Sequence, residues 1–165
     1  MSKQASYGSQ TISSSKQFIS LEVTKTLEVI LSTRELNEVI TLDQRTILQI
    51  PGMPTVVVGV FQWQGEILWL IDLAYLMGFE PLLSTGYYQQ KFRVIKVKFR
   101  DSYLGILVQK VGNLIDIESQ NISAIKKEKK DSLVEQFILG TCTNSTGERK
   151  MILDVEAIIE YIEKN

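Results

Sequence analysis

Carboxylates are what this sequence offers for acid–base chemistry: Asp and Glu number 19, beside 18 Lys and Arg, a single cysteine and no histidine. Without histidine the chain lacks the commonest general base, the usual transition-metal ligand and any phosphohistidine relay. Neither a Cys–His nor a Ser–His nucleophile pair can form. Several of the carboxylates stand beside Lys or Arg in polar stretches, where solvation is the default role. Neither a Gly-x4-Gly-Lys phosphate loop nor a Gly-x-Gly-x-x-Gly fingerprint occurs. Catalysis is not expected, and no metal or cofactor is called for.

Two aspartates share a context. Gly65-Glu66, five residues, Asp72 and Leu73-Ala74-Tyr75-Leu76 are answered by Gly147-Glu148, five residues, Asp154 and Val155-Glu156-Ala157-Ile158. Upstream, Val58-Gly59 is echoed by Leu139-Gly140, with one extra residue before the second Gly-Glu. The offset is roughly 80 residues, half the chain, which fits two related lobes better than a solenoid. In each copy a glycine-marked turn leads into an apolar strand, and the Asp ends the strand and caps a helix. Both aspartates are read as caps, not phosphoacceptors. Ordinary turn chemistry can also produce such a match. A duplicated strand-and-turn scaffold with no reactive side chain in either copy suggests a binding module.

The elements that position these residues must come from 165 residues, enough for one domain or two small lobes sharing a core. Apolar content of 44% and charge of 22% are ordinary for a globular protein, and a net charge of −1 sets up no field for nucleic acid or anionic membrane. The apolar runs are too short to span a bilayer, and the N-terminus has no charged-then-apolar leader, so a cytoplasmic location is expected, with no membrane insertion. Cys142, alone in an apolar stretch, is read as a buried small hydrophobe.

Residues 1–16, rich in Ser and Gln, are expected to form a disordered tail. Order is expected from Gln17, with Phe18, Ile19, Leu21 and Val23 on a first strand and Thr24–Thr26 as a turn into Leu27–Leu31. Ser32 or Thr33 is placed to cap a short helix bearing Leu36, Val39 and Ile40 at i, i+3, i+4. Asp43–Arg45 reads as a surface loop, and Pro51-Gly52-Met53-Pro54 breaks regular structure before a Val-rich strand. Ile67–Ile71 is apolar throughout, so both its faces should be covered by core or by a partner, with Trp69 inside. Residues 79–90 read as the loop dividing the two lobes. From Lys91, Phe92 and Val94 share one face but Ile95, Val97 and Phe99 the other, a phase slip predicting a β-bulge between Val94 and Ile95. Asp101-Ser102 turns into Leu104, Ile106 and Val108, and a further strand runs over 111–117. The charged run 126–131 is a solvated loop. Strands near 135–142 and 151–153 follow, then a helix capped by Asp154 with Val155, Ile158, Ile159 and Ile162 on one face.

Taken in order, Leu36-Asn37-Glu38-Val39-Ile40, Ile50-Pro51-Gly52-Met53-Pro54, Val58-Gly59-Val60, Trp63-Gln64-Gly65-Glu66-Ile67 and Ile71-Asp72-Leu73 resemble the CheW-like chemotaxis coupling proteins in residue type and spacing. Leu104-Gly105-Ile106-Leu107-Val108, Phe137-Ile138-Leu139-Gly140 and Ile152-Leu153-Asp154 continue the resemblance, which spans Phe18 to Ile162. It implies a mainly β fold: two small five-stranded SH3-like barrel lobes sharing a core, with short helices and a C-terminal helix, over residues 17–165. It also implies a non-enzymatic adaptor between a CheA-type histidine kinase and the cytoplasmic tip of methyl-accepting receptors, assembled in arrays. Leu36, Glu38, Val58, Gln62, Trp63 and Gln64 fall on the stretches the resemblance assigns to partner contact. Gln64 stands where the family usually has the arginine of Asn-Leu-Arg-Gly, exchanging a bidentate cation for an amide. Gln109 likewise stands where an aspartate is usual. The Trp-rich form of the turn is similar to that of the cyanobacterial pilus and phototaxis branch. On residue type alone Trp63 reads equally as interface anchor or core, and Glu38 as a solvated helix residue, to which the resemblance adds an interface role. The alternative function is a stand-alone β module binding a small ligand or peptide between lobes.

Overall fold

The computed structural model describes residues 14–84 and 91–164. Strands β1 (Ser15–Glu22) and β2 (Glu28–Ser32) form a hairpin whose turn is held by Thr24 Oγ1, which accepts from the backbone N–H of Thr26 at 3.2 Å and Leu27 at 3.0 Å. Strand β1 thus starts two residues ahead of Gln17. Residues 1–13 of the expected tail and 85–90 of the expected loop lie outside the described residues. Next come β3 (Leu36–Asp43), β4 (Val57–Trp63), β5 (Glu66–Asp72) and the short helix α1 (Leu73–Leu76). Then follow β6 (Lys91–Phe99), β7 (Ser102–Val108), β8 (Lys110–Glu118), β9 (Ile122–Ala124), β10 (Ile138–Thr143), β11 (Arg149–Leu153) and α2 (Val155–Lys164).

Two sheets result, in the orders β3-β6-β7-β5-β4 and β8-β1-β2-β11-β10-β9. The orders correspond place by place. In each sheet one parallel pair, β5 with β7 or β11 with β2, stands among antiparallel neighbours. Even β9 has a counterpart, an antiparallel bridge from Leu48 to Val60 beside β4. The hairpin β1–β2 fills in the second lobe the place that β6–β7 fills in the first. The segment after α1 leads to β6 in the same sheet as β5, and the chain passes between lobes at β2–β3 and β7–β8.

The repeated phrase explains this symmetry at the backbone level. Asp72 N–H donates to Val56 O, and Asp154 N–H to Phe137 O, both at 2.9 Å. Each aspartate's Oδ1 accepts from the N–H three residues on, Tyr75 and Ala157, at 3.1 Å, as an N-cap does. Gly59 and Gly140 each sit at a register shift in the first strand of their hairpin, pressed on a crossing segment. A Cβ there would come within 2.4 Å of Leu48 O or Ser123 O, so no other residue fits either place unmoved.

The largest apolar cluster lies between the lobes and draws on both: Leu21 and Leu31, Ile95 and Ile106, Leu73 of α1 and Ile158 of α2. A smaller cluster fills each barrel, around Phe61, Leu70 and Val94 in the first and around Ile30, Cys142 and Ile152 in the second. Cys142 is buried as expected, and burial pushes its thiol pKa up.

Four expectations are corrected. Leu36–Ile40 is strand, not helix: Ser32 Oγ accepts from Arg34 N–H at 3.2 Å, closing a turn where a helix cap was expected, and Ile40 and Leu42 alternate inward. No bulge separates Val94 from Ile95. Strand β6 pairs with β7 in unbroken register and buries both faces, Phe92 and Val94 in the first barrel and Ile95 and Val97 in the shared core. The irregularity is across the ladder, in β3 between Leu36 and Glu38. The core does not cover both faces of Ile67–Ile71, since Ile67 is 64% and Trp69 41% exposed. Glu135–Phe137 is a 3-10 turn that leads into β10.

Candidate partner-binding face on the first lobe

At one end of the first barrel five strands converge with their polar side chains. Glu38 of β3 lies across the ladder from Lys96 of β6, and Trp63 of β4 opposite Glu66 of β5. Lys96 shares the barrel-facing side with Phe92 and Val94, so its side chain runs inward and is only 8% exposed. Its Nζ lies 3.4 Å from Glu66 Oε1, 3.9 Å from Glu38 Oε1 and 4.2 Å from the centre of the Tyr103 ring on β7. A buried ammonium is costly unless paired, and here two carboxylates and a π face supply the pairing. Trp63 completes the group: its indole Nε1–H donates to both oxygens of Glu38, at 3.3 and 3.2 Å. Half-buried, its ring packs against the barrel cluster while its edge stays at the mouth. With two carboxylates against one ammonium, the mouth carries one formal negative charge beside an aromatic surface.

Gln62 and Gln64 flank this group on the β4–β5 hairpin and are exposed. Gln64 has φ 48° and Gly65 φ 82°, the left-handed pair of a tight two-residue turn, which holds the Gln64 side chain away from the sheet. On the outer face Gln62 pairs across the ladder with Ile67, and Trp69 lies next along β5, an exposed apolar strip adjoining the mouth. Glu38, Gln62, Trp63 and Gln64 are therefore brought together. Leu36 and Val58 are not: Leu36 packs on the shared core and Val58 on the first-barrel core. Lys96, Tyr103 and Glu66 were missed by sequence reasoning. One signal existed for Lys96, a lysine that shares its alternate positions on β6 with the apolar Phe92 and Val94.

Beneath the hairpin, Asp72 is 1% exposed and ties two segments: Oδ1 accepts from Tyr75 N–H and Oδ2 from Leu82 N–H at 2.7 Å. Burial pushes its carboxyl pKa up, against the lowering influence of the backbone donors. Among the described residues no group of three or more potential metal ligands converges, and no helix is long and apolar enough to cross a membrane.

Two barrel-like β lobes around a common core, with a charged and aromatic mouth on one, define a two-lobed β scaffold. The chain belongs to the CheW-like domain family, whose model matches residues 17–163. It is similar to the chemotaxis protein CheV3 of Helicobacter pylori, 26% identical over 120 residues, which make up 73% of this chain. The matched stretch spans only 38% of that relative's length. The crystal structure of the scaffolding protein TtCheW from Thermoanaerobacter tengcongensis is similar in fold, with a TM-score of 0.72 and 19% identity over 86% of this chain and 90% of that one. Family and two-lobed β fold agree with the resemblance read from the motifs.

Proposed function

We propose that this chain is a non-enzymatic cytoplasmic adaptor that couples methyl-accepting receptors to a CheA-type histidine kinase. Its first-lobe mouth docks the kinase regulatory domain, and the groove between lobes takes the receptor tip. Output through chemotaxis, phototaxis or twitching motility is compatible with the same coupling role, as is assembly into arrays at the membrane. The observation that carries this reading is the Trp63–Glu38–Lys96 group: an aromatic edge oriented by a charged hydrogen bond and bordered by exposed Gln62, Gln64, Ile67 and Trp69. Interface energy concentrates in such aromatic anchors, with rim charges adding mostly rate and selectivity.

The test is a calorimetric titration of the full chain with the regulatory domain of a CheA-type kinase. Trp63→Ala should weaken binding by about 1–3 kcal/mol while the fold persists, because the ring lies at the edge of the barrel cluster and is only partly buried. Unaltered affinity in Trp63→Ala would remove the kinase from this face.

A further inference from the structure

The first barrel opens at its far end, about 20 Å along β4 from Trp63, into a cleft of about 550 Å³. Val58 of β4 and Asp72 at the end of β5 border it, with the segment that precedes β4 and the 3-10 turn Leu82–Ser84 after α1. All three prolines of the chain, Pro51, Pro54 and Pro81, border it too. Their rings make rigid walls that carry no N–H donor. Met53 beside them is 40% exposed. Against these apolar walls stands one charge, the carboxylate of Asp72, itself 1% exposed. Among the described residues no lysine or arginine borders the cleft, and the polar neighbours Gln49 and Thr55 are neutral.

The second lobe supplies an internal comparison. Asp154 and Leu139, the counterparts of Asp72 and Val58, border a cleft of about 610 Å³ there. Lys127, Lys130 and Lys164 stand round that cleft against Asp154, Glu156 and Glu160, so its charges balance, whereas Asp72 has no cation in its own cleft. Burying a carboxylate without a cation is costly, and a partner that brings one recovers the cost. The geometry also selects the cation. The oxygens of Asp72 already accept from the N–H groups of Tyr75 and Leu82, and the N–H of Ala74 adds to them. A carboxylate offers about four lone-pair positions, so about one remains. A guanidinium fork calls for two adjacent acceptors, while an ammonium is satisfied by a single one. The methylene stem of a lysine suits apolar walls as its head suits the floor. We propose that this cleft is a docking site for a lysine side chain carried between apolar residues on an exposed segment of a partner protein. The cleft is wider than one side chain, and Met53 with the exposed Leu48 just outside it gives the flanking apolar residues a surface.

The probe is a capped pentapeptide with lysine between leucines, titrated into the full isotopically labelled chain and followed by nuclear magnetic resonance. It is compared with the same peptide carrying arginine or norleucine at the centre. The lysine peptide should shift the Val58 and Leu83 amides saturably and bind at least about tenfold more tightly than either relative, the ratio a charge-assisted hydrogen bond supplies. Gln49→Lys, at an exposed position, sets a cation at the cleft from within the chain and should abolish that preference. Asp72→Asn should do the same, and Gln49→Lys decides the matter should Asp72→Asn lose its fold. Trp63→Ala should leave the preference intact, which keeps this cleft separate from the kinase reading. Equal binding of the three peptides, no saturable shift at millimolar peptide, or a lysine preference that survives Gln49→Lys would overturn the proposal. So would butylammonium ion binding as tightly as the lysine peptide, which would give the cleft to a free amine.

Discussion

Lys96 enters the first barrel beside apolar neighbours and reaches two carboxylates and a tyrosine ring at the mouth, so its charge is held by position. Removing it strands Glu38 and Glu66 next to each other. Lys96→Met should therefore lower stability by about 1–3 kcal/mol in chemical unfolding and loosen the Trp63–Glu38 hydrogen bond, seen as a shift in Trp63 fluorescence. Lys96→Arg, which keeps the charge, should recover part of both. Gln64→Arg should leave the melting temperature within a degree or two, because the side chain already points into solvent and arginine tolerates φ 48° no worse than glutamine. Asp72 makes the pH-dependent case. Its folded pKa lies above the ordinary 3.8, so its stabilising effect is fully present below that value and is lost as pH rises through the folded pKa. The stability of the natural protein relative to Asp72→Asn should accordingly fall as pH climbs from 4 toward neutrality. A difference that grows over that range would reverse the assignment.

At the scale of elements, some boundaries were legible and others were not, for physical reasons that can be named. The turn at Thr24–Thr26, both Asp-capped helices and the strands of the two hairpins follow from local chemistry: side-chain oxygens near free N–H groups, and apolar alternation. Strand β3 was misread because Leu36, Val39 and Ile40 also satisfy helical spacing, while its β-branched composition and cross-strand partners favour sheet. In β6 the change of apolar face looked like a bulge because a strand buried on both sides has no single phase to read. Trp69 and Ile67 show the converse, a wholly apolar run with one face left open at the sheet's end. Of the candidate site, Glu38 and Trp63 were legible as separate residues. That they touch was not, since a bond spanning 25 positions depends on sheet register. Gly59 and Gly140 offer the sharpest element-level test. Substituting alanine at either should cost several kcal/mol, because the new Cβ meets backbone oxygen, which cannot move aside as a side chain can. Near-normal urea midpoints for both variants would refute the matched role of the two bulges.

As a whole molecule the protein is two lobes of matching strand order that complete each other's core. The central cluster takes residues from β1, β2, β6, β7, α1 and α2, so the largest core is shared and separating the lobes would expose it. Unfolding should be cooperative: both tryptophans sit in the first lobe, and their fluorescence transition should coincide with the far-ultraviolet dichroism of the whole chain. A fluorescence transition that runs ahead would mean that the lobes unfold separately. The same shared core gives an adaptor a rigid body on which partners at different faces keep a fixed geometry.

The central claim is that the first-lobe mouth is where a CheA-type kinase docks, and nuclear magnetic resonance of the isotopically labelled chain reads that mouth atom by atom. On titration with the kinase regulatory domain, the Trp63 indole N–H and the amides of Glu38, Gln64 and Tyr103 should shift together and saturate, while Cys142 in the second barrel stays in place. Saturable binding that leaves the Trp63 indole and the Glu38 amide unmoved would contradict the account.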